Sequence, residues 1–170
     1  NLPFTTIKQA LILDPEEYST YCLSKPDNGI ADIGQGAFAS GYYNKATNSK
    51  AAAFGFNNHA YGKFSFVEGR DNEAGYAAHA EGRETNATGE QSHTEGRNST
   101  ASGNCSHAEG RNSIAYGNYS HAEGINTVSI GVNSHAEGEG ISNQGTTSLS
   151  VGAHGRSSHV EGIATTTGEY

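Results

Sequence analysis

"SHAEGRNSIAYGNYSHAEG", residues Ser106–Gly124, contains the same five residues twice, fourteen positions apart. The period runs well beyond this stretch. His79, His93, His107, His121 and His135 keep the fourteen-residue step, and so do Glu81, Glu95, Glu109, Glu123 and Glu137. Glycine marks the half-period from Gly82 to Gly152, one residue out of phase with an upstream series at Gly34, Gly41, Gly55, Gly62 and Gly69. Units such as SHAEG place small residues first, third and fifth, an alternation that predicts a β-strand with a narrow inner face. The dipeptides "RN", "GN", "IN" and "VN" supply Asn or Gly where a tight turn needs positive φ. Two short strands and two turns per fourteen residues make one coil of a parallel β-solenoid whose coils stack about 4.8 Å apart. A helical reading fails, because the seven-residue beat brings glycine, which is costly in helix interiors. Between Gly41 and Gly162 this predicts eight to nine coils.

Composition agrees with a thin roll. Glycine accounts for 23 of 170 residues, apolar residues for only 34%, and Met and Trp are absent. An interior of Ala, Ser and Gly buries little apolar area, so such a coil needs neighbours, and three-fold self-association suits a long stacking fibre. The net charge of −8 carries no basic patch, so no nucleic-acid partner is expected. No apolar run approaches the ~18 residues that span a bilayer, so no membrane contact is expected from this segment. The chain begins Asn-Leu-Pro without Met, which reads as a fragment or a processed product. Cys22 and Cys105 read as free thiols packed as small hydrophobes. Sequons at Asn86, Asn98, Asn104 and Asn118 are what an Asn/Ser/Thr-rich repeat produces by chance.

On a strand, His107 and Glu109 share the outward face, so stacked coils predict a His ladder beside a Glu ladder. Stacked carboxylates repel by about 1 kcal/mol per neighbour even in water. Arg83, Arg97 and Arg111, with Arg70 before them, each follow a ladder glutamate by two residues and are expected to bridge coils or chains. Where arginine gives way to Ile125 and Glu139, the alternate strand turns apolar with Val128, Ile130, Leu149 and Val151. The expectation is a polar inter-chain network of Glu81, Glu95, Glu109, Glu123 and Glu137 with Arg83, Arg97 and Arg111. The lesser alternative is axial rings of His79, His93, His107, His121 and His135 holding Zn, Ni or Cu. No cofactor and no catalysis are expected, because repeated His–Glu pairs leave no unique nucleophile. Calcium-binding nonapeptide rolls are excluded by the scarcity of aspartate, found only at Asp14, Asp27, Asp32 and Asp71. Thr165 and Thr167 alone match a flat Thr-x-Thr ice-binding ladder.

The units "NSTASGNCSHAEG" and "NTVSIGVNSHAEG" resemble the head repeat of YadA-like trimeric autotransporter adhesins. The SHAEG form is similar to β-roll segments of phage and prophage tail fibres, some of which carry a self-cleaving C-terminal chaperone. The resemblance covers about residues 34–168. It implies a left-handed parallel β-roll assembled as a homotrimer, at a virion tail or a bacterial cell surface. Family heads usually have Val and Ile where most of these units have His and Glu.

Residues 1–33 differ: they hold Pro3, Pro15 and Pro26, and Asp14-Pro15 looks like a helix start. They are expected to cap or link the roll of residues 34–170. An insertion at about 139–158 is expected to bulge outward, as "EGISNQGTTSLS" (Glu139–Ser150) and "AHGRSS" (Ala153–Ser158), and to offer the better receptor-binding loops. The function expected is that of a fibre domain used in host attachment, most of all in a phage or prophage tail fibre, contacting a host-surface glycan or protein. The alternatives are the head of a bacterial trimeric surface adhesin, and a passive stalk joined to a hydrolase or self-cleaving chaperone.

Overall fold

Small residues recurring at alternate positions leave room for one backbone to lie directly on another, and the chain uses that room in every coil. The structure is a computed structural model that describes residues 34–140 and 151–164. Among these residues it is all-β, a parallel solenoid without a helix. A first sheet of nine parallel strands runs from Phe38–Tyr42 through His79–Arg83, His93–Arg97, His107–Arg111 and His121–Ile125 to His159–Ala164. A second sheet of eight shorter strands runs from Lys45–Ala46 through Thr100–Ala101 and Ile114–Ala115 to Val151–Ala153. Consecutive strands of the chain alternate between the two sheets, so each coil contributes one rung to each.

The register stacks like on like: His107 lies between His93 and His121, and Glu109 between Glu95 and Glu123. The period slips to thirteen between Gly69 and Gly82, yet these two glycines remain paired. The missing residue is absorbed at the corner after Ala74, where Gly75 stacks on Gly62.

The apolar part of the interior between the sheets is almost entirely alanine. Ala80, Ala108, Ala122 and Ala136 fill it from the first sheet, and Ala74, Ala87, Ala101 and Ala115 from the second, all fully buried. Val67 is the largest fully buried side chain among the described residues. The serines that precede the first-sheet strands are buried too. Ser65, Ser92 and Ser106 return their hydroxyls to the carbonyls of Gly62, Gly89 and Gly103, three residues back, at 2.7–2.8 Å.

Every corner uses a left-handed residue, one per half-coil from Tyr43 to Asn133. Asn57, Asn98, Asn112, Asn126 and Asn133 occupy such positions, as asparagine tolerates this region better than most residues. Rung-to-rung bonding continues round the bend: the Asn98 amide donates to the Arg83 carbonyl at 3.0 Å, and the Asn112 amide to Arg97 at 2.9 Å. Backbone polar groups are therefore paired at the corners as well as in the strands. Cys105 is one of these corner residues (φ 53°) and is exposed, not packed as expected, because a left-handed corner turns its side chain to solvent.

The tail of the expected insertion is corrected. Val151–Ala153 pairs with Thr127–Ser129, and Glu139 and Gly140 still belong to a first-sheet strand. Ala153–Ser158 does not bulge. It forms an ordinary corner, with the Ser157 amide donating to Val132 at 2.8 Å and the Ser158 amide to Gly155 at 3.1 Å. Leu149 and most of Glu139–Ser150 lie outside the described residues, as do the expected cap of residues 1–33, Cys22, Thr165 and Thr167.

Candidate functional site

The outward face of the first sheet carries the chemistry. Alternation buries Ala108 and leaves His107 and Glu109 half-exposed, a pattern repeated in the rungs from His79 to His135. In-register pairing then stacks the imidazoles of His79, His93, His107, His121, His135 and His159 face to face, with ring centroids 4.7–4.8 Å apart. The column continues in other residues: Phe66 packs edge-on against His79, centroid to centroid 5.0 Å. Phe38 stands two rungs beyond Phe66, and Ala52 takes the rung between them. Phe54, from the neighbouring column, fills the space over Ala52 and touches both rings, at 5.2 and 5.6 Å.

Stacking seals the ring edges. The Nε2 atoms of His79, His93, His107, His121 and His135 are buried and make no hydrogen bond. The glutamate beside each ring approaches without closing the contact: Nε2 to carboxylate is 3.7 Å at His79–Glu81 and 3.8 Å at His121–Glu123 and His135–Glu137. Such lengths exceed a hydrogen bond. Burial between neighbouring rings holds His93 and His107 below the usual imidazole pKa, and the charges of the adjacent histidines push the same way. His135 is lowered for the same reasons. In the carboxylate column Glu95 is raised to about 7, first because it shares a hydrogen bond with Glu81, while Glu81 is lowered by the same bond. The two stacked carboxylates therefore titrate as a pair.

These shifts set the acid response. A histidine with a depressed folded pKa contributes stability above its unfolded value near 6.5 and loses it as the pH falls. Glu95 works in the opposite sense, since its raised pKa favours the fold at low pH and disfavours it as the pH rises through about 7. Three lowered histidines against one raised carboxylate predict a melting temperature that falls between pH 8 and pH 5.5. Glu95→Gln should raise the melting temperature at pH 8 and steepen that fall. Circular-dichroism melts of both proteins across the range check it, and a flat profile would refute it.

The arginines do not join the carboxylate column within one chain. Arg83 pairs with its neighbour Glu84 at 3.0 Å and Arg70 with Asp71 at 3.0 Å, both exposed. Among the described residues neither Arg97 nor Arg111 forms an ion pair with the ladder glutamates. The cause is the intervening glycine. Gly82, Gly96 and Gly110 have φ of 98–107°, which breaks the strand alternation and turns the next side chain away.

A second ladder lies inside the roll and was not anticipated. Asn58 donates its side-chain amide to the carbonyls of Phe54 (2.6 Å) and Gly69 (2.9 Å), and its Oδ1 accepts the Asn72 backbone amide at 3.0 Å. Asn72 does the same one coil on, reaching Glu68, Gly82 and Thr85. Asn44 bonds Ser40 and Gly55. Farther along, Ser99 and Ser113 take over, each donating to the bulged glycine carbonyl of the next coil, Gly110 at 3.1 Å and Gly124 at 3.0 Å. The signal was the fourteen-residue step of Asn44, Asn58 and Asn72, hidden because asparagine also abounds at the corners.

Together these features define an all-β repeat module whose chemistry is laid out in ladders and concentrated at no single point. Residues 95–120 and 122–140 match the family model of the YadA head domain repeat, in two copies. This segment therefore carries YadA-like head repeats, a structural module of adhesin type. No curated protein matches the chain.

Proposed function

We propose that this chain is a structural and adhesive module of an extracellular fibre, working as a homotrimer of left-handed rolls. The observation that carries the reading is the imbalance between core and surface. Among the described residues nothing larger than Val67 is fully buried, while Phe64, Tyr116 and Tyr119 are 51–63% exposed and Ile130 is 42% exposed. Buried alanine methyls contribute about 0.8 kcal/mol each, a thin core for a free-standing domain. A three-fold axis parallel to the stack lets each coil face its own copies, so aromatic and apolar side chains of successive rungs pack in register. The match to the YadA head repeat supports the trimer and a surface-exposed setting. Arg83, Arg97 and Arg111, unengaged with the glutamate column of their own chain, are then the groups to meet the carboxylates of a neighbouring chain.

The setting we favour is a phage or prophage tail fibre engaged in host attachment, on the strength of the SHAEG form of the repeat. The head of a bacterial trimeric adhesin is the second reading, favoured by the family match itself. Light scattering on the purified protein should give a mass three times 17.7 kDa, and a monomer would overturn the assembly. Labelled protein that decorates bacterial cells but not animal cells or their matrix supports the tail fibre, and the reverse supports the adhesin.

A further inference from the structure

The geometry points to a transition-metal site of the Zn²⁺ class, formed within one chain by a histidine and the glutamates of its own and the preceding coil. Three such sets are assembled: Glu68–His79–Glu81, Glu81–His93–Glu95 and Glu109–His121–Glu123. In each, one ligand atom from every residue lies within 4.8 Å of the others.

Three independent features argue for an ion. The first is the nitrogens: Nε2 of His79, His93 and His121 is buried and has no hydrogen-bond partner, an uncommon and costly state for a polar atom. The second is the spacing. Nε2 stands 3.7–3.8 Å from the carboxylate in the His79 and His121 sets, too far for a hydrogen bond. Two ligands about 2.1 Å from one tetrahedral ion are about 3.4 Å apart, so these pairs need close by only about 0.4 Å to share one. The third is charge. The glutamate column stacks carboxylate on carboxylate, and Arg70 and Arg83 pair with Asp71 and Glu84 instead. Within one chain, a divalent cation supplies the positive charge that its own arginines do not bring to the column.

Imidazole with carboxylate suits Zn²⁺, Ni²⁺ and Cu²⁺, whereas Ca²⁺ and Mg²⁺ favour all-oxygen shells. In the Glu68–Glu95 stretch the glycine column opens the carboxylate side. Gly69, Gly82 and Gly96 leave an open groove of about 580 Å³ beside Glu68, Glu81 and Glu95, with room for water to complete the coordination. Two of the three sets share Glu81, so filling both would crowd two dications around one carboxylate. The stoichiometry follows: two ions per chain, one in the Glu68–Glu95 stretch and one at Glu109–His121–Glu123. The site does not depend on how chains assemble, since every ligand comes from one chain.

Isothermal titration of tag-free protein with Zn²⁺ should show two ions per chain, and Co²⁺ should give visible absorption that Zn²⁺ bleaches. His121→Phe is the decisive variant. Phe66 already occupies the same column, so a phenyl ring fits there while removing the ligand. Glu109→Gln removes a carboxylate without changing its size. Each should lower the stoichiometry from two to one, with circular dichroism unchanged. Absence of binding at about 1 mM Zn²⁺ would overturn the proposal. Binding that both variants leave intact would do the same, and so would one ion per three chains, which would place the ligands on a symmetry axis.

Discussion

Gly110→Ala should unfold the roll around its centre, at a cost of about 4 kcal/mol or more. Two effects combine. Gly110 has φ 104°, a conformation that side-chain-bearing residues rarely adopt. A methyl group there would also sit on the carbonyl oxygen of Gly124 in the next coil, and that atom is backbone in a paired strand and cannot swing aside. The glycines one rung before and after face the same contact, so the strain cannot be passed along the stack. Thermal melts and denaturant midpoints measure the loss, and a melting temperature within a few degrees of the parent would refute the argument. Tyr119→Gly is the control. Tyr119 is exposed at a left-handed corner (φ 59°), where relief of backbone strain and gain of chain freedom offset each other to within about 1 kcal/mol.

Asn58→Leu should cost about 3–5 kcal/mol, because it removes one side chain and strands three backbone groups. The carbonyls of Phe54 and Gly69 lose their donor, and the Asn72 amide loses its acceptor, inside a roll that admits no replacement. Each buried polar group left unmatched costs about 1–3 kcal/mol. Leucine is also too large for a space that elsewhere holds Thr85, Ser99 and Ser113. Asn58→Thr should cost far less, near 1 kcal/mol, since a hydroxyl at this column can still donate to the bulged glycine carbonyl, as Ser99 does for Gly110. Equal melting temperatures for the two variants would show that shape matters and hydrogen bonding does not.

Asparagine marks both the hidden and the legible parts of this fold. At Asn98 and Asn112 it announced a corner, because a short polar side chain two residues after a glycine, at the end of a strand pattern, has one common local use. At Asn58 the same residue works through partners eleven and fourteen positions away, and no local rule finds those. The strands and their register were legible because the residues are identical from coil to coil, so any shift by one position would have put His107 in the alanine core. The His and Glu columns followed from that alternation alone. The arginine network did not follow within the chain, because counting by twos assumes an unbroken strand and Gly110 interrupts it before Arg111. Cys105 was misplaced for a related reason, as composition says small and apolar while position says corner.

Near-identical coils also bear on heredity. DNA that encodes SHAEG units in series can misalign during replication or recombination, and the product gains or loses whole coils. Because Gly69 and Gly82 stay in step across a unit one residue short, even an imperfect exchange preserves the cross-section. Each unit gained lengthens the rod by one strand spacing, about 4.8 Å, and leaves every existing surface unchanged. The gene is in effect a ruler with rung-sized divisions, so the reach of the rod can be selected separately from its composition.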